Sequence, residues 1–252
     1  GGVKGACTNW SDMNILVTGG TGGLGRAIVE RLAQCADNLI YFTYCSSDIK
    51  ATAITEKYAN TIAFKCNQTK LEDVERLVTV IKTWNLDVLV NNAWVGSPRG
   101  IRFHKLESEQ LMEYFQNNVL SLVAITQAAL EGMRKRKNGH IVTVLTSSLV
   151  GIPPLGYGMY GATKAYVAQL AKTWSKEYIK VGITSNCVSP GFMQTDFTAE
   201  TDERVIEQLT EEHPLKQILK PEDVAQVIES LVYAPKHVNG VTIPVNAGME
   251  IL

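Results

Sequence analysis

Seven short runs rich in β-branched and apolar residues, at 14–18, 39–44, 61–65, 87–91, 140–145, 183–189 and 242–245, are separated by longer stretches of helical period, and this alternation constrains the chain more than any other feature. Strands and helices that alternate in this way read as βαβ units, in which a helix crosses over the sheet to reach a parallel neighbour. Most of the runs are apolar throughout, as expected of parallel strands covered on both faces. Helical pattern falls at 24–36, 48–58, 70–84, 107–136, 160–180, 201–212 and 221–233. Leu71, Val74, Leu77, Val78 and Ile81 give the third of these an apolar stripe. Pro221 opens the last, followed by Glu222 and Asp223, where a fixed φ and the positive helix end favour those residues. No linker and no internal repeat divides the pattern. The expected architecture is one doubly wound α/β domain over 13–252, with a parallel sheet of about seven strands and helices on both faces. Residues 1–12 show no periodicity and are expected to be a loose arm or a remnant of cloning.

Composition excludes several classes of function. A formal charge of -1 lacks the electrostatic footprint of phosphate-backbone binding, and the basic run at 134–137 is local, so no nucleic-acid partner is expected. The five cysteines, Cys7, Cys35, Cys45, Cys66 and Cys187, are scattered, odd in number and without a CxxC pair. Neither a disulfide framework nor a metal site is suggested, and a reducing compartment fits. No apolar run reaches membrane-spanning length and no signal-peptide pattern is present, so the expected location is cytoplasmic, with no membrane partner.

Thr18 to Gly25 reads TGGTGGLG, directly after the first strand and at the opening of the first helix. Glycine lets a backbone turn tightly and approach a diphosphate, and the helix N-terminus offers free N–H groups and a positive dipole end. Spacing fits two patterns, Gly20, Gly22 and Gly25 as GxGxxG, or Gly19, Gly23 and Gly25 as GxxxGxG. At the next strand end, where a carboxylate would hold the adenosine ribose of NAD, the residues are Tyr44, Cys45, Ser46 and Ser47. The missing acid points to NADP, with NAD as the alternative. Ser46 and Ser47 either hold its extra phosphate or simply cap the following helix.

Tyr160 and Lys164 stand four residues apart in a helical pattern, so their side chains share a face. A free phenol is a poor acid near neutrality, and a neighbouring ammonium makes its proton easier to transfer. The pair then serves acid–base chemistry.

The glycine turn, Asn91-Asn92-Ala93, Asn118, Ser147 and Ser148, Tyr160 with Lys164, and Pro190-Gly191 together resemble the short-chain dehydrogenase/reductase family over essentially all of 13–252. The resemblance favours the GxxxGxG reading and extends the glycine-turn contacts to Thr21, Gly22 and Leu24. It implies Tyr160 as general acid, Lys164 on the nicotinamide ribose, a serine on the substrate carbonyl and Asn118 as the holder of a water in a proton relay. Thirteen residues before Tyr160 stands Ser147, whereas the serine-x-x-glycine pattern ending at Gly151 gives Ser148. Ser147 is preferred. Asn117 competes with Asn118, which the following aliphatic residue favours.

The same resemblance implies cofactor contacts from Asn67 and Gln68, from Asn92 and Ala93, and from Pro190, Gly191, Met193 and Thr195. The segment 192–219 is expected to act as a lid. Two departures stand out. Gly22 replaces a basic residue common in NADP-dependent members, and Trp94 replaces the glycine of NNAG, its ring pointing either into the cleft or out to solvent. The implied activity is reduction of a ketone in the manner of 3-oxoacyl and polyketide-type ketoreductases, on a small-molecule or acyl-thioester substrate, with a carrier protein as a possible partner, in a homodimer or homotetramer. The alternatives are an NAD-dependent secondary-alcohol dehydrogenase, and a nucleotide-binding sensor or structural subunit that keeps the fold without turnover.

Overall fold

The structure is a computed structural model that describes residues 12–96 and 101–250, so the expected arm lies, apart from Asp12, outside the described residues. Seven strands, β1 (Asn14–Val17), β2 (Leu39–Tyr44), β3 (Thr61–Lys65), β4 (Val88–Asn91), β5 (Gly139–Val144), β6 (Ile183–Pro190) and β7 (Thr242–Val245), pair in one parallel sheet of order β3-β2-β1-β4-β5-β6-β7. The order reverses between β1 and β4, which pair through Ile15–Val88, Leu16–Leu89 and Val17–Val90. Crossovers on the two sides of that point leave opposite faces of the sheet, so a crevice opens beyond the carboxyl ends of β1 and β4.

The helices are α1 (Gly23–Leu32), α2 (Asp48–Lys57), α3 (Leu71–Ile81), α4 (Ser108–Phe115), α5 (Ser121–Arg136), α6 (Gly158–Tyr178), α7 (Glu203–Glu212) and α8 (Pro221–Val232). Successive strand side chains point to opposite faces, so Ile15 and Val17 pack with Ile28, Leu32, Ile228 and Leu231 of α1 and α8, while Leu16 packs with Leu77, Ile125, Val167 and Trp174 of α3, α5 and α6. Two cores, one on each face, explain why the strand runs are apolar throughout. Each fully buried Leu or Ile contributes roughly 1.5–3 kcal/mol.

Where one helix is expected over 107–136, a π turn at Gln116–Leu120 separates α4 from α5, and it buries Asn118 and Val119. A π turn is a single widened turn inside an otherwise helical segment, which a helical pattern over 107–136 does not resolve. The Glu107–Gln110 capping box fixes the start of α4 close to the expected place. α6 begins at Gly158, two residues before the expected start, which puts Tyr160 in its first turn.

Below the sheet, on the side away from the crevice, His140 is buried between Thr184, whose hydroxyl lies 2.9 Å from Nδ1, and the Lys236 ammonium, 3.1 Å from Nε2. Burial, with the Lys236 charge second, pushes the imidazole down to about 4. Lys236 itself, pushed down to about 8 by burial, has Asp87 as the acid that opposes this. The folded state thus holds His140 neutral while the unfolded chain takes up a proton near 6.5. This stabilisation is complete above that pH and is lost as pH falls towards 4. We expect urea unfolding to show a loss of roughly 1 kcal/mol between pH 7.5 and 5.5, and His140→Gln to flatten that slope.

Candidate active site

The glycine turn leaves β1 at Thr18, whose hydroxyl accepts the backbone N–H groups of Asn92 and Ala93 at 3.0 Å and so ties the ends of β1 and β4 together. The Asn92 amide donates to the carbonyl of Thr18 at 2.9 Å. Gly19 has φ +71°, and a side chain there would press on Ala93. A Cβ at Gly23 would meet Thr195 at 2.8 Å, and one at Gly25 would collide with the Gly19 carbonyl and stand 2.7 Å from the Asn92 amide nitrogen. At Gly22 a Cβ would meet only the Gly19 carbonyl, at 3.6 Å. Backbone therefore demands glycine at Gly19 and Gly25, whereas Gly23 and Gly20 are held by side-chain packing, against Thr195 at 2.8 Å and Phe42 at 2.6 Å; Gly22 is the one glycine of the two spacings with room for a side chain. α1 starts at Gly23 with no side-chain cap and no acid in its first turn, so its N–H groups and positive end face the cleft.

From this turn a cleft of about 850 Å³ runs across the ends of β4 and β5 to α6. Gly19, Thr21, Gly22, Gly23, Leu24 and Gly25 line one end, with Tyr44, Cys45, Asn67 and Gln68 beside them. Asn92, Ala93 and Trp94 form the middle, Ser147, Tyr160, Lys164, Pro190, Gly191 and Met193 continue the lining, and Thr195 stands against Gly23 of the turn. Ser46 is exposed outside the lining, although its neighbour Cys45 is part of it. Ser47 makes no side-chain cap bond on α2, and the nearby acid, Asp48, accepts from Tyr44 at 3.0 Å and pairs with Lys65 at 2.7 Å.

At the far end Tyr160 is enclosed by aromatic rings, with Tyr157, Trp94 and Phe197 at centroid distances of 5.8, 6.1 and 6.1 Å. Burial pushes its phenol far above the ordinary value, opposed by a hydrogen bond with the Thr146 side chain. This differs from the lowering expected from Lys164, and the reason is the apolar enclosure, which penalises a phenolate, while the Lys164 Nζ stands 6.0 Å from the ring centroid. Lys164 is 3% exposed, and burial pushes it down to about 7. Its Nζ donates to the Val144 carbonyl at 2.8 Å and lies 3.8 Å from the centroid of the Trp94 ring. Of the two orientations open to Trp94, the structure has the inward one.

Ser147 and Ser148 share a 3-10 turn at the end of β5 and both line the cleft. The Ser148 hydroxyl accepts from Thr146 at 3.2 Å, whereas that of Ser147 makes no hydrogen bond with any described residue. Asn118 stands behind the cleft wall. Its Oδ1 accepts the Val95 N–H at 2.6 Å and its Nδ2 donates to the carbonyls of Val95 at 3.0 Å and Tyr114 at 3.1 Å, so the amide ties the loop after β4 to α4. Sequence reasoning missed Thr146, and it missed the apolar far wall of Ile152, Pro154, Phe192, Val205 and Leu209. A threonine directly before the serine pair was the only available signal for the first.

The family described as short chain dehydrogenase matches residues 13–206 of this sequence. The chain belongs to the short-chain dehydrogenase family. A 3-oxoacyl-[acyl-carrier-protein] reductase FabG of Staphylococcus epidermidis is 32% identical to this short-chain dehydrogenase over 241 residues, covering 93% of this chain and 97% of that one. Carbonyl reductase family member 4 of Xenopus laevis is 31% identical over 238 residues, with 93% and 97% covered. A short chain dehydrogenase from Burkholderia cenocepacia, solved in complex with NADP, superposes with a TM-score of 0.80 at 26% identity, covering 94% of this chain and 98% of that one. The present short-chain dehydrogenase is thus an oxidoreductase of the class that works with a nicotinamide dinucleotide. The glycine cradle fits the diphosphate of such a group, since Gly22 and Gly23 present bare backbone and uncapped N–H groups to the cleft. No helix among the described residues is long and apolar enough to cross a membrane.

Proposed function

We propose that this short-chain dehydrogenase reduces a ketone, with NADPH as the preferred reductant. The observation that carries the reading is the meeting of Tyr160, Lys164 and the Ser147 hydroxyl at one end of a cleft whose other end is the glycine turn. When bound, the reduced nicotinamide supplies the hydride. The chain's own residues do the rest. Ser147 donates a hydrogen bond to the carbonyl oxygen, and Tyr160 gives that oxygen its proton as negative charge develops on it. Burial keeps the phenol protonated, the state a donor needs. Lys164 offers its ammonium to the ribose and, beside the ring, to the phenolate left behind. Asn118 acts through the Val95 loop and so sets where Trp94 stands.

Four observations support the finer parts. At the end of β2 no acid reaches the cleft unpaired, and the Lys65 ammonium lies 5.9 Å from the Tyr44 ring centroid, a cation near the place for a ribose phosphate. Ile152, Phe192, Val205 and Leu209 make the far wall apolar, which suits an acyl chain more than a polar alcohol. The segment 192–219 contributes much of that wall and is joined to α2 by the Lys50–Asp196 contact at 2.8 Å, an arrangement that fits a lid; assembly into a dimer or tetramer fits the exposed Leu111, Met112 and Leu120 around the π turn. The cytoplasm is the compartment proposed for it.

Initial rates with NADPH and NADH against β-ketoacyl thioesters, free and carrier-linked, cyclic ketones and simple ketones test the reading. We expect oxidation of NADPH with β-ketoacyl thioesters, faster than with NADH by at least about tenfold, roughly 1.4 kcal/mol of selectivity. Equal or faster turnover with NADH removes the NADP preference. Oxidation of secondary alcohols by NAD with no reduction of any ketone favours the dehydrogenase reading, and dinucleotide binding without turnover the sensor.

A further inference from the structure

Trp94 holds a position that the proposed chemistry does not use. Its indole face lies 3.8 Å from Lys164 Nζ, close enough for a cation–π contact, and Lys164 keeps only 3% of its surface exposed. One N–H of that ammonium donates to the Val144 carbonyl at 2.8 Å, and the indole face covers another part of it. The ring is also tethered. Its Nε1–H donates to the Tyr114 hydroxyl at 2.7 Å, the two rings meet edge to face at 6.2 Å, and Tyr114 is itself buried in α4. Val95, the next residue along, is clamped by Asn118 through both its N–H and its carbonyl, which fixes the backbone from which the indole projects. Trp94 nevertheless lines the cleft and is only half-buried, and Lys164, which lines the same cleft, is left 3% exposed with the indole face against its ammonium.

We propose that the Trp94 indole and the nicotinamide ribose compete for the Lys164 ammonium, so that a dinucleotide reaches Lys164 only when the ring swings away and gives up its bond to Tyr114. This rests on the reading of the cleft as a dinucleotide site. It makes Trp94 a positioning residue that lowers cofactor affinity, because binding must first break a cation–π contact and a hydrogen bond that the chain makes with itself. A tryptophan that merely formed part of the cleft wall would have the opposite effect, since removing it would remove contacts and weaken binding.

The two cases separate by calorimetric titration of NADP+ into the wild type, Trp94→Gly and Tyr114→Phe, together with emission spectra of the wild type minus Trp94→Phe, which isolate Trp94 from Trp10, Trp84 and Trp174. We expect Trp94→Gly to bind NADP+ roughly tenfold more tightly and Tyr114→Phe, which cuts the tether alone, about threefold more tightly. The difference emission should shift to longer wavelength and become more open to acrylamide quenching as NADP+ saturates. Should Trp94→Gly not fold, Tyr114→Phe and the emission decide in the same way. Equal or weaker binding by both variants, or an unchanged Trp94 emission, overturns the competition while leaving the cleft a dinucleotide site. No binding of NADP+ or NAD+ by the wild type or by any variant overturns the site itself, and the competition with it.

Discussion

Tyr160→Phe should leave the fold and NADP+ binding intact and lower kcat/KM for ketone reduction by about 10²- to 10⁴-fold, the range that a positioned proton donor contributes. The substitution removes one oxygen from a ring held between Trp94, Tyr157 and Phe197, and the phenyl group keeps those contacts. The hydroxyl's partner in the protein, the Thr146 side chain, retains the Ser148 hydroxyl as an alternative. Little stability is therefore lost, and a thermal melt within a few degrees of the wild type is the control. Because burial raises the phenol rather than lowering it, the wild-type rate of reduction should not fall through ionisation of Tyr160 anywhere near neutral pH. An inflection close to pH 7 would instead follow Lys164, which burial brings down to about 7. Activity within threefold of wild type in Tyr160→Phe would remove the tyrosine from the mechanism.

How far this site can be read from sequence depends on how far each contact reaches along the chain. The strands and most helix limits follow from local period, because a residue's face in a strand or helix is set by its immediate neighbours. Every observed strand lies within a residue of its expected run, and the one structural surprise inside a helix, the π turn at Gln116–Leu120, is a single widened turn within a segment that stays helical on both sides. Tyr160, Lys164 and the glycines are legible for the same reason, as pairs and triplets at short spacing. The direction of Trp94 is not, since it is decided by Tyr114 and Lys164, from α4 and α6. The raised phenol of Tyr160 is likewise a property of rings contributed by three separate segments, and sequence spacing to Lys164 alone points the wrong way. Ser46 illustrates the converse: adjacent in sequence to a lining residue, it turns out to solvent where the chain bends into α2.

The glycine turn gives the largest expected effect on the folded state, through Gly25→Ala. The added methyl would fall on the Gly19 carbonyl and crowd the Asn92 amide, both of them part of the knot that joins β1 to β4. The Gly19 carbonyl is backbone and the Asn92 amide is held by its bond to Thr18, so relief requires the backbone of the turn to move. Overpacking of this kind costs about 3 kcal/mol, which for a chain of this size lowers the melting temperature by roughly 10 °C. NADP+ binding should fall with it, because the displaced turn is the cradle. Gly22→Ala supplies the contrast: φ there is -73°, and its Cβ would meet only the Gly19 carbonyl at ordinary contact distance, 3.6 Å. Its melting temperature should stay within about 2 °C of the wild type. Any loss of NADP+ affinity in Gly22→Ala then reports how closely the diphosphate approaches that backbone, free of any change in the fold. Equal stability of the two variants would mean that the close packing of Gly25 against Gly19 does not hold this turn, and that its backbone does not demand glycine at Gly25.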